Sequence, residues 1–538
     1  MAYIFVTGGI ISGLGKGIVT ASILRILKSR GYKVTAIKID PYVNVDAGTL
    51  RPTEHGEVWV TEEGGETDED LGHYERFICE SLTKDHNITT GKIYYSVIEK
   101  ERKGEYLGKT VQLIPHITDE IKNCIKNVAE KTNSEIVLIE IGGIVGDYEN
   151  IIFLEAARQL NREEKVVFVH VSYVPIPNKL GEPKTKPTQQ SVKLLRELGI
   201  QPDFIICRSR ENLDEVRKQK ISLFCDIPKE NIIDDPDIET VYELPLIFEK
   251  QNLSKKILNK LNLSEKTTNF LDLKEWEERT NILKQKDRIV KIGIVGKYIG
   301  TGNFKLADSY ISVEEAVKHA CAFLGYRPEI VWIDSTRLEL NIPKIQGVII
   351  PGGFGTTGIE GKLKTITYCR ENNIPFLGLC LGLQLAVIEF ARNVCGLKDA
   401  NSTEIDENTK NPVIDILPEQ RDIIKNKKYG ATMRLGVYPA VLKEGTKVYN
   451  LYKKFNLIKN NIIFERHRHR YELNPEYHKI LQNNGMIFSG FSPDGKLVEF
   501  IELPNHKFFV ATQAHPEFKS NLLNPSPLFY GFVESCLK

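Results

Sequence analysis

The chain has 538 residues, of which 41% are apolar and 27% charged. At roughly 100–200 residues per domain this is about three or four domains' worth of chain, or two large ones; the composition excludes wholesale disorder, a collagen-like repeat and a membrane-embedded protein. Lys plus Arg total 72 against 71 Asp plus Glu, a formal charge of +1, which argues against a nucleic-acid coat but not against a local basic pocket for a small anion.

The opening MAYIFVTGG has no basic n-region and no cleavage-like segment, so the expectation is no secretory signal. In chain order, β-branched runs predict strands near 3–7, 33–39, 135–141, 166–171 and 203–207, then near 290–295, 329–333, 347–351 and 375–379. Such runs, separated by helical stretches, predict an α/β fold of two doubly wound domains with parallel sheets covered on both faces. The polar stretch 263–288 carries the boundary. The expected division is a first domain over 1–265, a linker with a short helix over 266–288, and a second domain over 289–538. A further polar stretch, 401–430, reads as a surface excursion. Nine cysteines, none in a CxxC pair, argue against a zinc ribbon or disulfide framework and suit a reducing cytoplasm.

The first strand runs into GGIISGLGKGIVTASILRILKSRGY. Gly8 and Gly9 permit a tight turn, and Gly13, Gly15 and Gly17 permit close backbone approach to an anion. Lys16 supplies a point charge at the start of a helix whose N–H groups face that anion. The motif is not a strict GxxxxGK[ST]: the Gly9–Gly15 spacing is one residue longer, and Gly17 stands where a Ser or Thr helps hold Mg2+. The alternative is a glycine-rich turn without a ligand. Glu140 closes the strand EIVLIE at a carboxyl edge, where it either holds a Mg2+ bridging nucleotide phosphates or caps a loop. Asp70 lies in the acidic stretch TEEGGETDEDLGHYERF, and composition does not separate it from its neighbours. Lys38 faces the same phosphates or the surface. Lys184-Thr185-Lys186-Pro187-Thr188-Gln189 clamps a second polyphosphate, reads a base edge, or is a surface turn.

In the second half, PFLGLCLGLQ reads as a strand, a sharp turn carrying Cys380 and a helix, with Gly378 and Gly382 at the spacing of a nucleophile elbow. The helix N-terminus there favours a thiolate. The N–H of Leu381, with another from the PGGFG loop at Gly353, would stabilise an oxyanion. His515 is a proton carrier and Glu517 orients it. These residues agree on thiolate attack at a carbonyl, a thioester and its hydrolysis. The basic run ERHRHR, 465–470, is a solvated strand, a nucleic-acid patch, or a source of an arginine fork for a substrate carboxylate; alternation puts Arg466, Arg468 and Arg470 on one face and His467 and His469 on the other.

Read together and in order, YIFVTGG…GLGKG, KIDPYVNVD, HGEVWVTEEGGETDEDLGHYERF, EIGGIVGD, KTKPTQ, PGGFG, FLGLCLGLQ, RHRHRYE and HPEF resemble the CTP synthases over essentially the whole chain. The resemblance implies an N-terminal amidoligase domain and a C-terminal class I glutamine amidotransferase domain. It implies ammonia released from glutamine, passed through an internal tunnel, and used to aminate UTP at C4 after ATP phosphorylates O4. It implies ATP contacts from Gly13, Leu14, Gly15, Lys16, Gly17, Ile18 and Lys38, with Asp70 and Glu140 on Mg2+. For UTP and CTP it implies Ser12, Lys184, Thr185, Lys186, Pro187, Thr188, Gln189 and Lys220, with Asp147, Tyr148 and Glu149 reading the cytosine nucleotide in feedback inhibition. His55 corresponds to the tunnel mouth. Gly353, Leu381, Gly382, Leu383, Gln384, Glu404 and Arg470 correspond to glutamine contacts, and Cys380, His515 and Glu517 to the triad. GTP as an allosteric activator, a homotetramer capable of filaments and a cytoplasmic location are further implications; no nucleic acid and no membrane are expected as partners. The chain departs from the family at Gly13, where a serine is common, at Tyr148, where isoleucine is familiar, and in the 401–430 stretch. The competing readings are an ATP-dependent amidotransferase acting on a carboxylate, such as a corrinoid amide synthetase, and a nucleotide-sensing assembly protein whose sites only bind.

Overall fold

The computed structural model describes the chain except residues 52–54, 179–180, 268–270, 298–299, 302–303, 306–307, 337–343 and 417–432. It divides into two compact units: Met1–Ala47 with Asp68–Thr280, and Gly48–Thr67 with Asn281–Lys538. The segment 48–67, which the sequence places inside the first domain, thus belongs to the unit built by the C-terminal half.

The first unit is a seven-stranded, all-parallel sheet in the order Asn87–Thr89, Val34–Asp40, Ile136–Ile141, Ala2–Gly9, Lys165–Tyr173, Phe204–Arg208, Ile232–Asp235. Its central strands are buried along their whole length, as sheets covered on both faces require. Tyr3, Phe5, Ile37, Ile39, Val137 and Ile139 form one core with Ile121, Ile125, Phe153 and Leu154 of two covering helices. The helix Lys16–Ser29 packs on the strands Ala2–Gly9, Val34–Asp40 and Ile136–Ile141.

The second unit holds a nine-stranded sheet ordered Arg327–Asp334, Ile289–Gly296, Gly347–Ile350, Phe376–Leu379, Phe509–Thr512, Val498–Glu502, Ile487–Phe491, Arg434–Leu442, Ile462–His469. The first five strands are parallel and the remaining pairings antiparallel. The strands expected from the apolar runs of this half form its parallel part, and further strands extend it into a mixed sheet. Of its antiparallel strands, Ile462–His469 and Val498–Glu502 carry charged residues among their apolar ones, so these two lack the continuous apolar runs of the buried parallel strands. Of the 401–430 stretch, residues 417–430 lie outside the described residues. Its beginning supplies the strand Asn411–Ile416, in a small sheet with Ala400–Ser402 and Tyr471–Leu473.

The expected linker forms the helix Leu271–Lys284. Asp272 pairs with Arg25, and Trp276 is fully buried against Phe77 and Tyr242, its Nε1–H donating to the Tyr242 carbonyl at 2.8 Å. One aromatic residue thus fastens a polar helix to the first unit. Trp276→Ala should lower the unfolding free energy of that unit by about 3–5 kcal/mol, the usual cost of emptying a buried aromatic site, measured by urea titration of circular dichroism.

Candidate active sites

In the first unit the phosphate-loop backbone is shaped by left-handed residues: Gly13 has φ 71° and Gly15, which caps the helix Lys16–Ser29, has φ 84°. Lys16 folds back along Gly8 and its ammonium donates to the Gly143 carbonyl at 2.7 Å. Burial lowers its pKa.

Beside this loop the sheet register pairs Lys38 with Glu140 on neighbouring strands, so both side chains leave the same face of the carboxyl edge. The Lys38 ammonium contacts Asp70 and lies 3.2 Å from Glu140, 3.7 Å from Asp40 and 3.7 Å from Asp68. Lys38 is 6% exposed, so it does not face the surface. Burial disfavours its charge, but Asp70 and Glu140 outweigh that and raise its pKa well above the ordinary value. Burial, with Asp70, raises the Glu140 pKa, and burial with the Asp68 charge pushes Asp40 up to about 8. Tyr74 donates its hydroxyl to Glu140. The carboxylates outnumber the cations here, a surplus that a divalent ion with hard oxygen ligands would offset.

Gly17 explains the departure from a strict phosphate-loop motif. A Cβ there would fall inside the Asp70 carboxylate. Asp70 therefore occupies the place where a Ser or Thr side chain would otherwise project, and the oxygen donor comes from another segment. Asp70 and Glu140 fit a Mg2+ site on this ground.

The remaining candidates of this unit divide. Thr185, Thr188 and Gln189 are buried, with Gln189 Nε2 donating to Thr185 Oγ1 at 3.1 Å and Ser172 Oγ to Thr188 Oγ1 at 3.1 Å. Pro187 sits in the first turn of the helix Lys186–Glu197. Lys184 pairs with Glu182, while Ser12, Lys186 and Lys220 are exposed. Asp147 folds onto the Ile144 N–H at 3.0 Å, and Tyr148 and Glu149 point to solvent. Sequence reasoning missed His170. Its ring lies 2.9 Å from Thr7 Oγ1 and 2.8 Å from Ser191 Oγ, tying the first strand to the helix that begins at Lys186. Burial pushes its pKa down to about 3.

In the second unit Cys380 caps the helix Leu381–Asn393 with φ 52° and ψ −103°, a strained conformation for a non-glycine residue. A Cβ at Gly378 would lie 2.8 Å from the Gly382 carbonyl, and one at Gly382 would strike the Ile350 carbonyl. The two glycines are thus what the sharp turn requires. Gln513 Nε2 approaches Cys380 Sγ at 3.7 Å, a contact the sequence did not flag. His515 Nδ1–H donates to Glu517 at 2.7 Å, and the imidazole lies nearly parallel to Phe518 at 5.2 Å. A Cβ at Gly352 would come within 2.8 Å of His515 Cε1. Burial opposes a charge on His515, but Glu517 and the Cys380 sulfur outweigh it and push the pKa up to about 10.

Gly353, Cys380, Arg470, His515 and Glu517 line one cavity of about 360 Å³, together with Arg468, Phe354 and residues of the 48–58 segment. The other candidates take other places. Glu404 accepts from the Gly355 N–H at 2.8 Å and so holds the PGGFG loop. Gln384 donates to the Tyr471 carbonyl at 3.0 Å. Leu381, Gly382 and Leu383 are buried in the elbow helix. His55 is exposed and its N–H donates to the Arg51 carbonyl. Arg466 and Arg468 are not a solvated patch: Arg466 is fully buried, and Arg468 donates to Glu66 at 2.9 Å. His467 and His469 face the other way, 2.9 Å from each other, toward the buried Arg434–Glu472 and Arg434–Glu499 pairs.

Because the folded-state pKa of His515 is about 10 against an ordinary 6.5, its charged form contributes stability that is complete below about pH 6.5 and lost as pH rises through about 10. The difference in unfolding free energy between the unmodified chain and His515→Gln should therefore be largest near pH 6 and shrink toward pH 10, measured by urea denaturation across that range. A difference independent of pH would contradict the ion pair.

Residues 2–263 match the family model for the CTP synthase N-terminus, and residues 305–535 the model for class-I glutamine amidotransferase. The CTP synthase of Methanocaldococcus jannaschii is 54% identical over 552 residues, covering 100% of this chain and 98% of that protein. The CTP synthase of Archaeoglobus fulgidus is 53% identical over 545 residues, covering 100% and 99%. A solved structure described as a Trypanosoma brucei CTPS glutaminase domain with bound acivicin aligns at 34% identity and a TM-score of 0.41, covering 46% of this chain and 94% of that one. Among the described residues no helix is long and apolar enough to cross a membrane. With relatives at this identity along its whole length, the chain belongs to the CTP synthase family, carbon–nitrogen ligases that take amide nitrogen from glutamine.

Proposed function

We propose that the chain makes CTP from UTP by a relay between two chemistries. The observation that carries this reading is the alignment of Cys380, His515 and Glu517 along one cavity, in a chain that also holds the Lys38, Asp70 and Glu140 cluster beside a phosphate loop. The synthase chemistry is assigned to 1–265 and the glutaminase to 289–538, with 266–288 between them.

At the glutaminase, the Cys380 sulfur as thiolate attacks the side-chain amide carbon of glutamine. The oxyanion is met by the N–H groups of Leu381 and Gly353. His515, protonated, gives its proton to the departing nitrogen, so ammonia leaves and a thioester remains. His515 then takes a proton from water, whose oxygen attacks the thioester, releasing glutamate and restoring the sulfur. Glu517 keeps the imidazole oriented throughout. Arg470 holds the substrate carboxylate, Glu404 keeps the PGGFG loop in place, and Leu381–Gln384 form the elbow around the amide.

At the synthase, Gly13–Ile18 cradle the ATP phosphates and Lys16 moves from the Gly143 carbonyl to a phosphate oxygen. Asp70 and Glu140 would hold Mg2+, which when bound neutralises phosphate charge; Lys38 keeps the carboxylates in place and balances the transferring phosphoryl group. O4 of UTP attacks the γ-phosphorus of ATP and ADP leaves. Ammonia then adds at C4, loses a proton and expels inorganic phosphate, giving CTP. Phosphorylation is needed because the C4 oxygen is otherwise a poor leaving group, and a sheltered path past His55 keeps ammonia from protonation in bulk water. Ser12, the Lys184–Gln189 segment and Lys220 hold the pyrimidine nucleotide. Asp147, Tyr148 and Glu149 read the cytosine ring in feedback inhibition. GTP as an activator, a homotetramer and a cytoplasmic location complete the reading.

Cys380→Ala should abolish CTP formation from glutamine, a loss of more than about 10³-fold, while leaving synthesis from added ammonium chloride within about twofold. Nucleotide chromatography with each nitrogen source decides, and loss of both activities would contradict the division of labour. Glu140→Ala should remove CTP formation from either source by at least about 10²-fold; unimpaired ammonia-dependent turnover would contradict its placement at the phosphates.

A further inference from the structure

The strand Ile462–His469 serves two neighbours at once. Its arginine side chains grip the hairpin formed by Trp59–Val60 and Glu66–Thr67. The Arg466 guanidinium lies 5.3 Å from the Trp59 ring centroid and its Nη1 donates to the Val60 carbonyl at 3.0 Å. Arg468 Nε donates to Glu66 at 2.9 Å. The backbone carbonyls of the same two residues meet the glutaminase groups. That of Arg466 accepts from the His515 N–H at 2.7 Å, and that of Arg468 lies 3.8 Å from Cys380 Sγ.

A second line runs through the rings. Trp59, 1% exposed, packs on Phe518 at 4.8 Å, and Phe518 lies at 15° to the His515 imidazole. Glu517 fixes one nitrogen of that imidazole, but a hydrogen bond to a ring atom does not by itself set the tilt of the ring. Phe518 stacks on the ring and sets its plane, the bare Cα of Gly352 leaves room for the Cε1 edge, and Trp59 packs on Phe518. Precise placement of a proton carrier is worth orders of magnitude in rate.

We propose that Trp59 is a positioning residue for the glutaminase, setting the plane of the His515 ring through Phe518 and its backbone place through Arg466. The inference rests on the reading of Cys380, His515 and Glu517 as the triad. It gives a segment of the N-terminal half a part in the chemistry of the C-terminal half.

The test uses the full-length chain and measures glutamate release against glutamine concentration and pH. Trp59→Ala should lower kcat about tenfold or more, with KM changed less than about threefold, because Trp59 does not line the cavity. The high-pH limb of the profile should move to lower pH, since a loosened His515 holds its proton less tightly. Trp59→Phe, which keeps a flat ring, should restore kcat to within about threefold. Ammonia-dependent CTP formation within about twofold of normal certifies the fold of Trp59→Ala. An unchanged kcat, a loss confined to KM, or a Trp59→Phe as impaired as Trp59→Ala overturns the proposal. Should Trp59→Ala fail to fold, Phe518→Leu reports the same link, and an unmoved limb there overturns it too. Glutamine hydrolysis surviving in Cys380→Ala would instead refute the triad reading itself.

Discussion

A cysteine with φ 52° and ψ −103° sits where a sheet strand turns sharply into a helix, and the second unit is organised to hold it there. The conformation costs on the order of 1–3 kcal/mol. It persists because Gly378 and Gly382 remove the side chains that would block the turn, and because the Cys380 N–H donates to the Thr512 carbonyl of the neighbouring strand at 2.8 Å. The result is placement: the sulfur stands at the carboxyl edge of a parallel sheet, at a helix N-terminus, within the cavity that also takes His515. The same strand, Phe509–Thr512, that fixes the cysteine backbone leads in a few residues to His515 and Glu517, so Cys380 and His515 share one support.

The first unit solves a different problem. Its site has no strained nucleophile; it has a buried excess of negative charge. Lys38 is surrounded by Asp40, Asp68, Asp70 and Glu140, an arrangement that one ammonium alone does not balance. The raised carboxyl pKa values at Asp40 and Glu140 come first from burial. Such a surplus of buried carboxylate is what a divalent cation complements. Both candidate sites thus lie at the carboxyl ends of sheet strands, where open α/β sheets place their ligands, one with a geometry held under strain and the other with a charge held in imbalance.

Much of this was legible in the chain. Every predicted strand of the parallel sheets is present, because a strand buried on both faces is written as an uninterrupted apolar run. The elbow and the phosphate loop were legible because glycines at fixed spacing, directly after an apolar strand and before a helix, mark a turn too tight for side chains. The antiparallel strands 434–502 were not, since their buried charges, Arg434, Glu465, Arg466 and Glu499, look like solvated surface until their partners are known. Asp70 could not be told from its acidic neighbours by composition; what singles it out is the empty Cα of Gly17, fifty-three positions earlier in the chain. The packing of the 59–67 hairpin with the second unit was not legible for a related reason: its partners Arg466 and Arg468 are 406 and 402 residues away, and periodicity carries no information at that range. The polar helix Leu271–Lys284 was legible as a helix but not as an anchored one, because its attachment rests on isolated residues, Trp276 and the Asp272–Arg25 pair, rather than on an apolar stripe.

The membership of Gly48–Thr67 in the second unit makes that unit discontinuous, with consequences for dissection and for inheritance. A single cut near residue 288 yields a piece that retains Cys380, His515 and Glu517 but has surrendered Leu50, Glu57 and Val58 from its cavity wall and the tryptophan behind Phe518. A gene fission at that point would leave one product without a part of its own fold. A second unit started after residue 288 would have to hold Phe518 without Trp59 and Arg468 without Glu66.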